Sequence, residues 1–305
     1  MTIKKTLSGF FYRAFRSIET YIFLLLMMLI SIPMIIDLEK DDTINPLCFA
    51  IAYSSIIPLI IAALYTMIFF SRIFREDTLV NLTLTGHSKK EIFAAAWIYS
   101  VTVATVYLIL YAAEAFIAAN IIYKEFKTDT GLFFLLFGGS FLLCIFFISL
   151  TTSLLFVSRN AIMAIIVAVI IAYISISVPA RLIDDLSFMR VLSHDEVIRL
   201  NDLEKEGKEI SWRLDTEDFR IRIYADGEPF EYEGKDDTDT LTGNRRTMAK
   251  TVFCAFPTSF YFLSVLAVDY EVTDPAPIYL SYAVPVLYTV LTMGLGMHLF
   301  SRRDI

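Results

Sequence analysis

Uncharged, largely apolar stretches recur along this chain at lengths set by the thickness of a bilayer. They run from Thr20 to Ile36, Thr43 to Ser71, Thr130 to Ser158, Asn160 to Ala180 and Pro275 to Ser301, and a further one, Ile92 to Tyr123, is interrupted only by Glu114. Crossing about 30 Å of hydrocarbon takes roughly 20 apolar residues in a helix, so the pattern predicts six transmembrane helices. Ile18, ahead of Thr20, extends the shortest of them. Thr251 to Val268 is also uncharged, but Pro257 removes a backbone donor from its middle. Residues 251–274 are therefore read as a re-entrant or interfacial segment. Non-helical backbone at that depth needs cover from protein or a water-filled cavity, so its Phe253, Phe256, Pro257, Phe260, Tyr261 and Phe262 are candidates for an outer gate.

Lys and Arg in short loops stay on the cytoplasmic side. With the N-terminus inside, the inner segments carry Lys4, Lys5, Arg13, Arg16, Arg72, Arg75, Lys89, Lys90, Arg159, Arg302 and Arg303, against Lys40, Lys124 and Lys127 in the short outer loops. This imbalance predicts cytoplasmic N- and C-termini; a seventh crossing would carry Arg302 and Arg303 outside. The expected location is the plasma membrane of a prokaryote. The apolar run starts late and lacks a small-residue cleavage site, so no signal peptide is expected.

Composition sharpens the class. The 305 residues are 56% hydrophobic and 19% charged, and 33 acidic residues outnumber 26 basic ones, which excludes an ordinary soluble enzyme, a disordered chain and a nucleic-acid binder. Between Arg181 and Lys250, 12 Lys/Arg stand against 18 Asp/Glu, so the acidity is concentrated in one water-facing insertion, residues 181–250, assigned to the outside. Ser193-His194-Asp195-Glu196 is a capping box ahead of Val197, Leu200 and Leu203; Ile210, Trp212 and Leu214 alternate, as do Phe219, Ile221 and Ile223; Asp226-Gly227 marks a hairpin continued by Phe230 and Tyr232. The insertion is read as a small α+β domain. Its acidity either steers a cationic ligand or keeps the domain soluble. Cys48, Cys144 and Cys254 form no paired motif and are expected to be buried small side chains. His87 and His298 lack a second ligand at helical spacing, so no metal is expected.

Two cytoplasmic pieces look built for a partner. Residues 1–19 place Phe10, Phe11, Ala14, Phe15 and Ile18 on one helical face, with Lys5, Arg13 and Arg16 mostly elsewhere, the pattern of an amphipathic membrane-surface helix. Between the second and third spans, in residues 72–93, Gly86 breaks a helical run and Ser88-x-x-Glu91 is a capping box that starts a new helix into Ile92, Phe93 and Trp97. A helix, a sharp turn and a second helix are expected. Glu114 is the one acid inside a span and a functional candidate by default, because charge there is costly; the alternative is a structural hydrogen bond to a neighbouring Tyr, Ser or Thr.

Arg75-Glu76-Asp77-Thr78-Leu79, Leu82, Leu84, Gly86 and Ser88-Lys89-Lys90-Glu91-Ile92 resemble the segment between spans two and three of the permease subunits of type-2 ABC exporters, although many members carry Pro where Gly86 stands. The resemblance extends to a surface helix before six spans, a short turn (Ser158-Arg159-Asn160) between spans four and five, and a basic-acidic tail at residues 302–305, and so covers the chain outside 181–250. It implies an all-α polytopic membrane protein with an N-terminal interfacial helix, spans one to five within 20–180, a sixth span at 275–301, and the α+β insertion between spans five and six. It also implies that Gly86 to Phe93 is a coupling helix inserted into a cleft of an ABC ATPase, with Glu76, Asp77, His87, Ser88, Lys89, Lys90 and Glu91 around it. The partners would be ATPase subunits, a second permease copy in a homodimer or a related permease in a heterodimer, membrane lipid and an exported substrate. No G-x-x-x-x-G-K-[ST] phosphate loop is present, so ATP and Mg would be bound by the partner and this chain would be a transport subunit, not an enzyme. The near absence of charge in the spans points to an amphipathic cargo such as a peptide, lipid-like molecule or drug, with a cationic peptide fitting best and Glu114 as a lone anchor. A membrane sensor that uses its acidic outer domain without transport is the alternative.

Overall fold

The computed structural model describes residues 3–36, 47–48, 50–51, 55–76, 78–122, 130–187, 194–215, 219–230, 243–259, 261–263, 266, 270–272 and 281–302. Its helices are α1 (Ile3–Arg16), α2 (Ile18–Ile36), α3 (Ile56–Arg75), α4 (Thr78–Leu84), α5 (Lys89–Ile122), α6 (Thr130–Ser158), α7 (Ala161–Ser187), α8 (His194–Lys205), α9 (Gly243–Ala255) and α10 (Ala283–Arg302). Among the described residues α3, α5, α6, α7 and α10 are long and apolar enough to cross a membrane, and α2 brings the number to six if α1 and α2, bent by 71° at Ser17, count as one broken span. The chain is a helical, multi-pass membrane protein.

Several boundaries differ from the sequence expectation for local reasons. In the second apolar run α3 starts at Ile56 and holds Pro58 in its first turn, where a missing N–H costs nothing. Likewise α10 starts at Ala283, with Pro285 in its first turn. The surface helix ends at Arg16, and Ile18 and Glu19 belong to α2. Its apolar stripe is also divided. Thr6, Phe10 and Ala14, spaced by four, face the protein and are buried, whereas Phe15 is 70% exposed. A 3.6-residue period identifies an apolar face but not whether lipid or protein covers it.

The division into compact units falls inside α7 and α10: one unit is Met1–Ile174 with Pro285–Ile305, the other Ser175–Val284. In the first, α5 is the central element. Its 34 residues span about 51 Å at 1.5 Å per residue, and it packs against α1, α2, α3 and α6. Tyr99 of α5 meets Phe69 of α3 at 4.8 Å between ring centroids, Phe11 of α1 at 5.2 Å and Phe70 of α3 at 5.7 Å. A Cβ on Gly296 of α10 would collide with the Ser153 side chain of α6, whose Oγ donates to the Thr292 carbonyl at 3.0 Å. Glycine is what lets these two helices approach so closely.

The second unit holds α8, the strands β1 (Ile210–Asp215), β2 (Arg220–Ala225), β3 (Glu228–Pro229) and β4 (Glu271–Val272), and α9. The sheet order is β3-β2-β1-β4, antiparallel except for the β1–β4 pair. Trp212 pairs with Ile223 and Leu214 with Ile221, so the alternating apolar residues share one face as expected. Asp226 (φ 50°) and Gly227 (φ 81°) form the β2–β3 turn that the sequence marks. Helix α8 begins at His194, directly after the expected cap Ser193, which lies outside the described residues, as does Tyr232. Helix α9 crosses the expected boundary at residue 250, carrying the polar insertion into the apolar segment without a break. Cys48 and Cys144 are buried as expected, but Cys254, on α9, is exposed.

Within α7, Pro179 cannot donate to the carbonyl of Ser175, four residues back. The Thr258 hydroxyl donates to that carbonyl instead. Both Thr258 and Ser175 are buried, so the orphan acceptor is satisfied across two segments. Thr258→Val should therefore cost about 1–3 kcal/mol, the penalty of an unsatisfied buried group. Pro179→Ala restores the helical donor and should recover most of the loss in the double variant, read as thermal stability of the purified protein; additive losses would show that the bond does not serve this purpose.

Candidate coupling surface and intramembrane polar groups

The expected helix-turn-helix between the second and third spans is present as α4, a turn at residues 85–88, and α5. Gly86 N–H reaches the Thr83 carbonyl at 3.0 Å and His87 N–H the Leu82 carbonyl at 3.1 Å, the paired bonds of a Schellman end, with Gly86 in the left-handed region at φ 90°. Two residues later the capping box closes reciprocally: Ser88 N–H donates to Glu91 Oε2 at 3.1 Å and Glu91 N–H to Ser88 Oγ at 3.2 Å. Lys89 and Lys90 occupy the first turn of α5, Lys89 half-buried and Lys90 exposed. Leu84 ends α4 as an apolar tip with 79% of its surface exposed.

This turn is fastened to α1. His87 is buried, and its Nδ1 lies 3.1 Å from Thr6 Oγ1, so it faces inward. Glu76, at the end of α3, accepts from Arg13 of α1 at 2.9 Å and from Arg72 at 2.8 Å, and Arg72 also reaches Glu19 of α2 at 3.5 Å. Arg72 falls within the expected segment 72–93, whereas Thr6, Arg13 and Glu19 were not expected as members of this surface. The only local signal was the four-residue spacing of Arg72 and Glu76; the other contacts join residues more than fifty positions apart. Asp77 lies outside the described residues. Each exposed pair is worth little alone, but together they fix the angle at which α1 meets α3.

Deeper in the unit, Thr20 Oγ1 donates to the Ala14 carbonyl at 2.7 Å and lies 2.9 Å from Tyr65 Oη, which lies 2.7 Å from Tyr99 Oη. Since Thr20 has a single proton, Tyr65 donates to Thr20 and Tyr99 to Tyr65. Glu114 of α5 is bonded to Ser31 of α2 through Oε2, while its buried Oε1 has no partner among the described residues. The buried Tyr107 hydroxyl is likewise unpartnered. Tyr107 and Glu114 are seven residues apart, two turns of the same helical face.

The aromatic segment expected at an outer gate packs within the second unit. Phe253 is fully buried with its ring 5.6 Å from that of Phe219. Phe256 is half-buried, Pro257 is buried in the turn that follows α9, and the rings of Tyr261 and Phe262 stand 5.6 Å apart. Phe260 lies outside the described residues.

No protein-family model matches this chain, and no curated protein matches it.

The hydrogen bond from Arg72, reinforced by the charge of Arg13, holds the Glu76 carboxyl below its usual range. A carboxylate with a lowered folded pKa contributes stability above the unfolded value and loses it as pH falls through the folded one. Glu76→Gln should therefore broaden the distance distribution between spin labels at Ser8 and Lys90 at neutral pH. In the wild type the same broadening should appear only below the ordinary carboxylate range. Identical distributions in both proteins would mean that Glu76 does not hold α1.

Proposed function

We propose that the chain is the membrane-spanning subunit of an ATP-driven ABC exporter, working with a separate ATPase and a second permease copy. The observation that carries this reading is the turn at residues 84–91. A left-handed glycine and a reciprocal capping box make it rigid, His87 and Glu76 tie it to α1 and α3, and it presents the exposed apolar Leu84. A rigid tip continuous with α5 suits the transfer of force from a soluble motor: displacement at the tip moves α5, and α5 packs against α1, α2, α3 and α6. The resemblance of this segment to type-2 exporter permeases supports the same assignment. The substrate fits an amphipathic class, because the α5 face that carries Tyr107 and Glu114 offers two unpartnered polar oxygens in an otherwise apolar setting.

Purification from native membranes tests the assignment directly. An ATPase with a Walker A loop should co-purify with this chain, and a chain that purifies alone supports the sensor alternative. Gly86→Val places a β-branched residue at positive φ, at a cost of about 1–2 kcal/mol, and Glu91→Arg removes half of the capping box. Both should lower substrate-stimulated ATPase activity of the reconstituted complex while membrane insertion stays intact; unchanged activity in both would separate this turn from transmission.

Under this reading the 84–91 turn is cytoplasmic and the 194–230 segment external. In a cysteine-free background, an impermeant maleimide should label Glu204→Cys in intact cells and Lys90→Cys only after permeabilisation. Equal labelling of the two would overturn the orientation.

A further inference from the structure

Helix α9 carries its polarity the wrong way round for a helix on the surface of a water-soluble domain. Arg246 and Lys250, one turn apart, are both half-buried against protein. The Arg246 guanidinium donates to the Leu186 carbonyl of α7 at 2.8 Å, and Lys250 Nζ lies 5.0 Å from the centre of the Phe219 ring. Ala249 and Phe253 are buried on the same side. The other side, from Met248 to Ala255, exposes Met248, Thr251, Val252, Cys254 and Ala255 and no charged residue. Met248 is 69% exposed. The one hydroxyl on this side, that of Thr251, donates to the Thr247 carbonyl of its own helix at 2.9 Å. In water a surface helix turns its charges out and its apolar stripe in; α9 does the reverse.

Two contacts with α7 set the depth of this face. The apolar window of α7 ends at Ile183. Arg246 meets α7 three residues beyond that end, at Leu186, and Thr258 meets it eight residues before, at Ser175. The two contact points are about 16 Å apart along α7, at 1.5 Å per residue. Between them α9 is helical to Ala255, and a compact turn follows: Phe256 N–H donates to the Phe253 carbonyl at 3.1 Å and Ser259 N–H to the Phe256 carbonyl at 3.2 Å. One side chain and a tight turn are too short for that distance, so α9 runs along the α7 axis in the opposite direction and not across it. We propose that α9 is a half-helix sunk in the bilayer beside the C-terminal half of α7, and that its Met248, Val252 and Ala255 face is covered by lipid acyl chains. Hydrocarbon offers no hydrogen bonds, and this face asks for none. Charge at that depth is costly, and Arg246 and Lys250 are turned to a carbonyl and a ring accordingly. Arg245, exposed in the first turn, stays at headgroup level. The polar insertion assigned to water in residues 181–250 therefore ends inside the membrane. This inference stands apart from the exporter reading and holds equally for a sensor.

The test is electron paramagnetic resonance of the full chain in liposomes, with a nitroxide on Cys254, an exposed native thiol; Cys48 and Cys144 are buried. Relaxation by oxygen, which concentrates in hydrocarbon, should exceed relaxation by a water-soluble nickel chelate at Cys254. The ratio should reverse at Glu204→Cys, exposed on α8, read in a Cys254→Ser background. In that background the oxygen-to-nickel ratio should rise stepwise from Met248→Cys through Val252→Cys to Ala255→Cys, since each lies deeper than the last. Stronger relaxation by nickel at Cys254 would overturn the proposal in favour of water. Equal ratios at the three positions would overturn it in favour of a helix flat on the surface. Protection from both reagents would mean that protein, a second copy included, covers the face. Because Cys254 is read with no substitution in the chain, a misfolded variant cannot mask the outcome, and no result here bears on ATPase co-purification.

Discussion

The first unit depends on the way one ring, that of Tyr99, is held. Apolar side chains gain little by moving from lipid to a helix interface, so helices in a bilayer associate through close packing and shared hydrogen bonds. Tyr99 supplies both. Its ring packs against Phe10 and Phe11 of α1 and Phe69 and Phe70 of α3, and its hydroxyl begins a proton-donor chain through Tyr65 and Thr20 to the Ala14 carbonyl. The carbonyl at the end of that chain belongs to the last turn of α1, where acceptors have no partner within the helix. One network therefore orients α5 against α3, closes the end of α1 and fixes the 71° turn into α2.

What could be read from the sequence divides along contact distance. The Schellman glycine, the Ser88–Glu91 box and the Asp226–Gly227 turn are each complete within a few residues, and the structure contains all three as read. The apolar runs likewise announce membrane helices, because a span is defined by its own length and composition. Partner choice is not local. Ser31 and Glu114 are 83 positions apart, as are Thr258 and Ser175, and neither member of either pair carries a mark of the other. The same blindness applies to Phe253, whose contact with Phe219 joins residues 34 positions apart.

The surface formed by α1, the end of α3 and the 85–88 turn combines two kinds of contact with different tolerance. The Arg13–Glu76–Arg72 set is exposed and screened by salt, so it sets an angle more than it supplies stability. The His87–Thr6 contact is buried, and breaking it strands two polar groups away from water. The turn is thus joined to α1 more firmly through the buried contact than through the exposed pairs. On its other side α1 presents Tyr12 and Phe15 outward.

Most polar side chains within the spans have a structural explanation. Ser100 and Thr66 bond back to carbonyls of their own helices, Ser140 bonds to Ser55, and Trp97 bonds to Ser149. Glu114 has only half of one. Its Oε2 is bonded to Ser31, and its Oε1 is buried without a partner among the described residues, a state that costs on the order of 1–3 kcal/mol. A glutamine would meet the same space with a neutral group, and a leucine would remove the orphan oxygen altogether. Stability therefore does not account for an acid here. The second orphan, the Tyr107 hydroxyl, lies on the same face of α5 two turns away, so the two exceptions form one stripe. Among the described residues, two unsatisfied oxygens of the spans are thus aligned on α5, the helix that starts at the 85–88 turn.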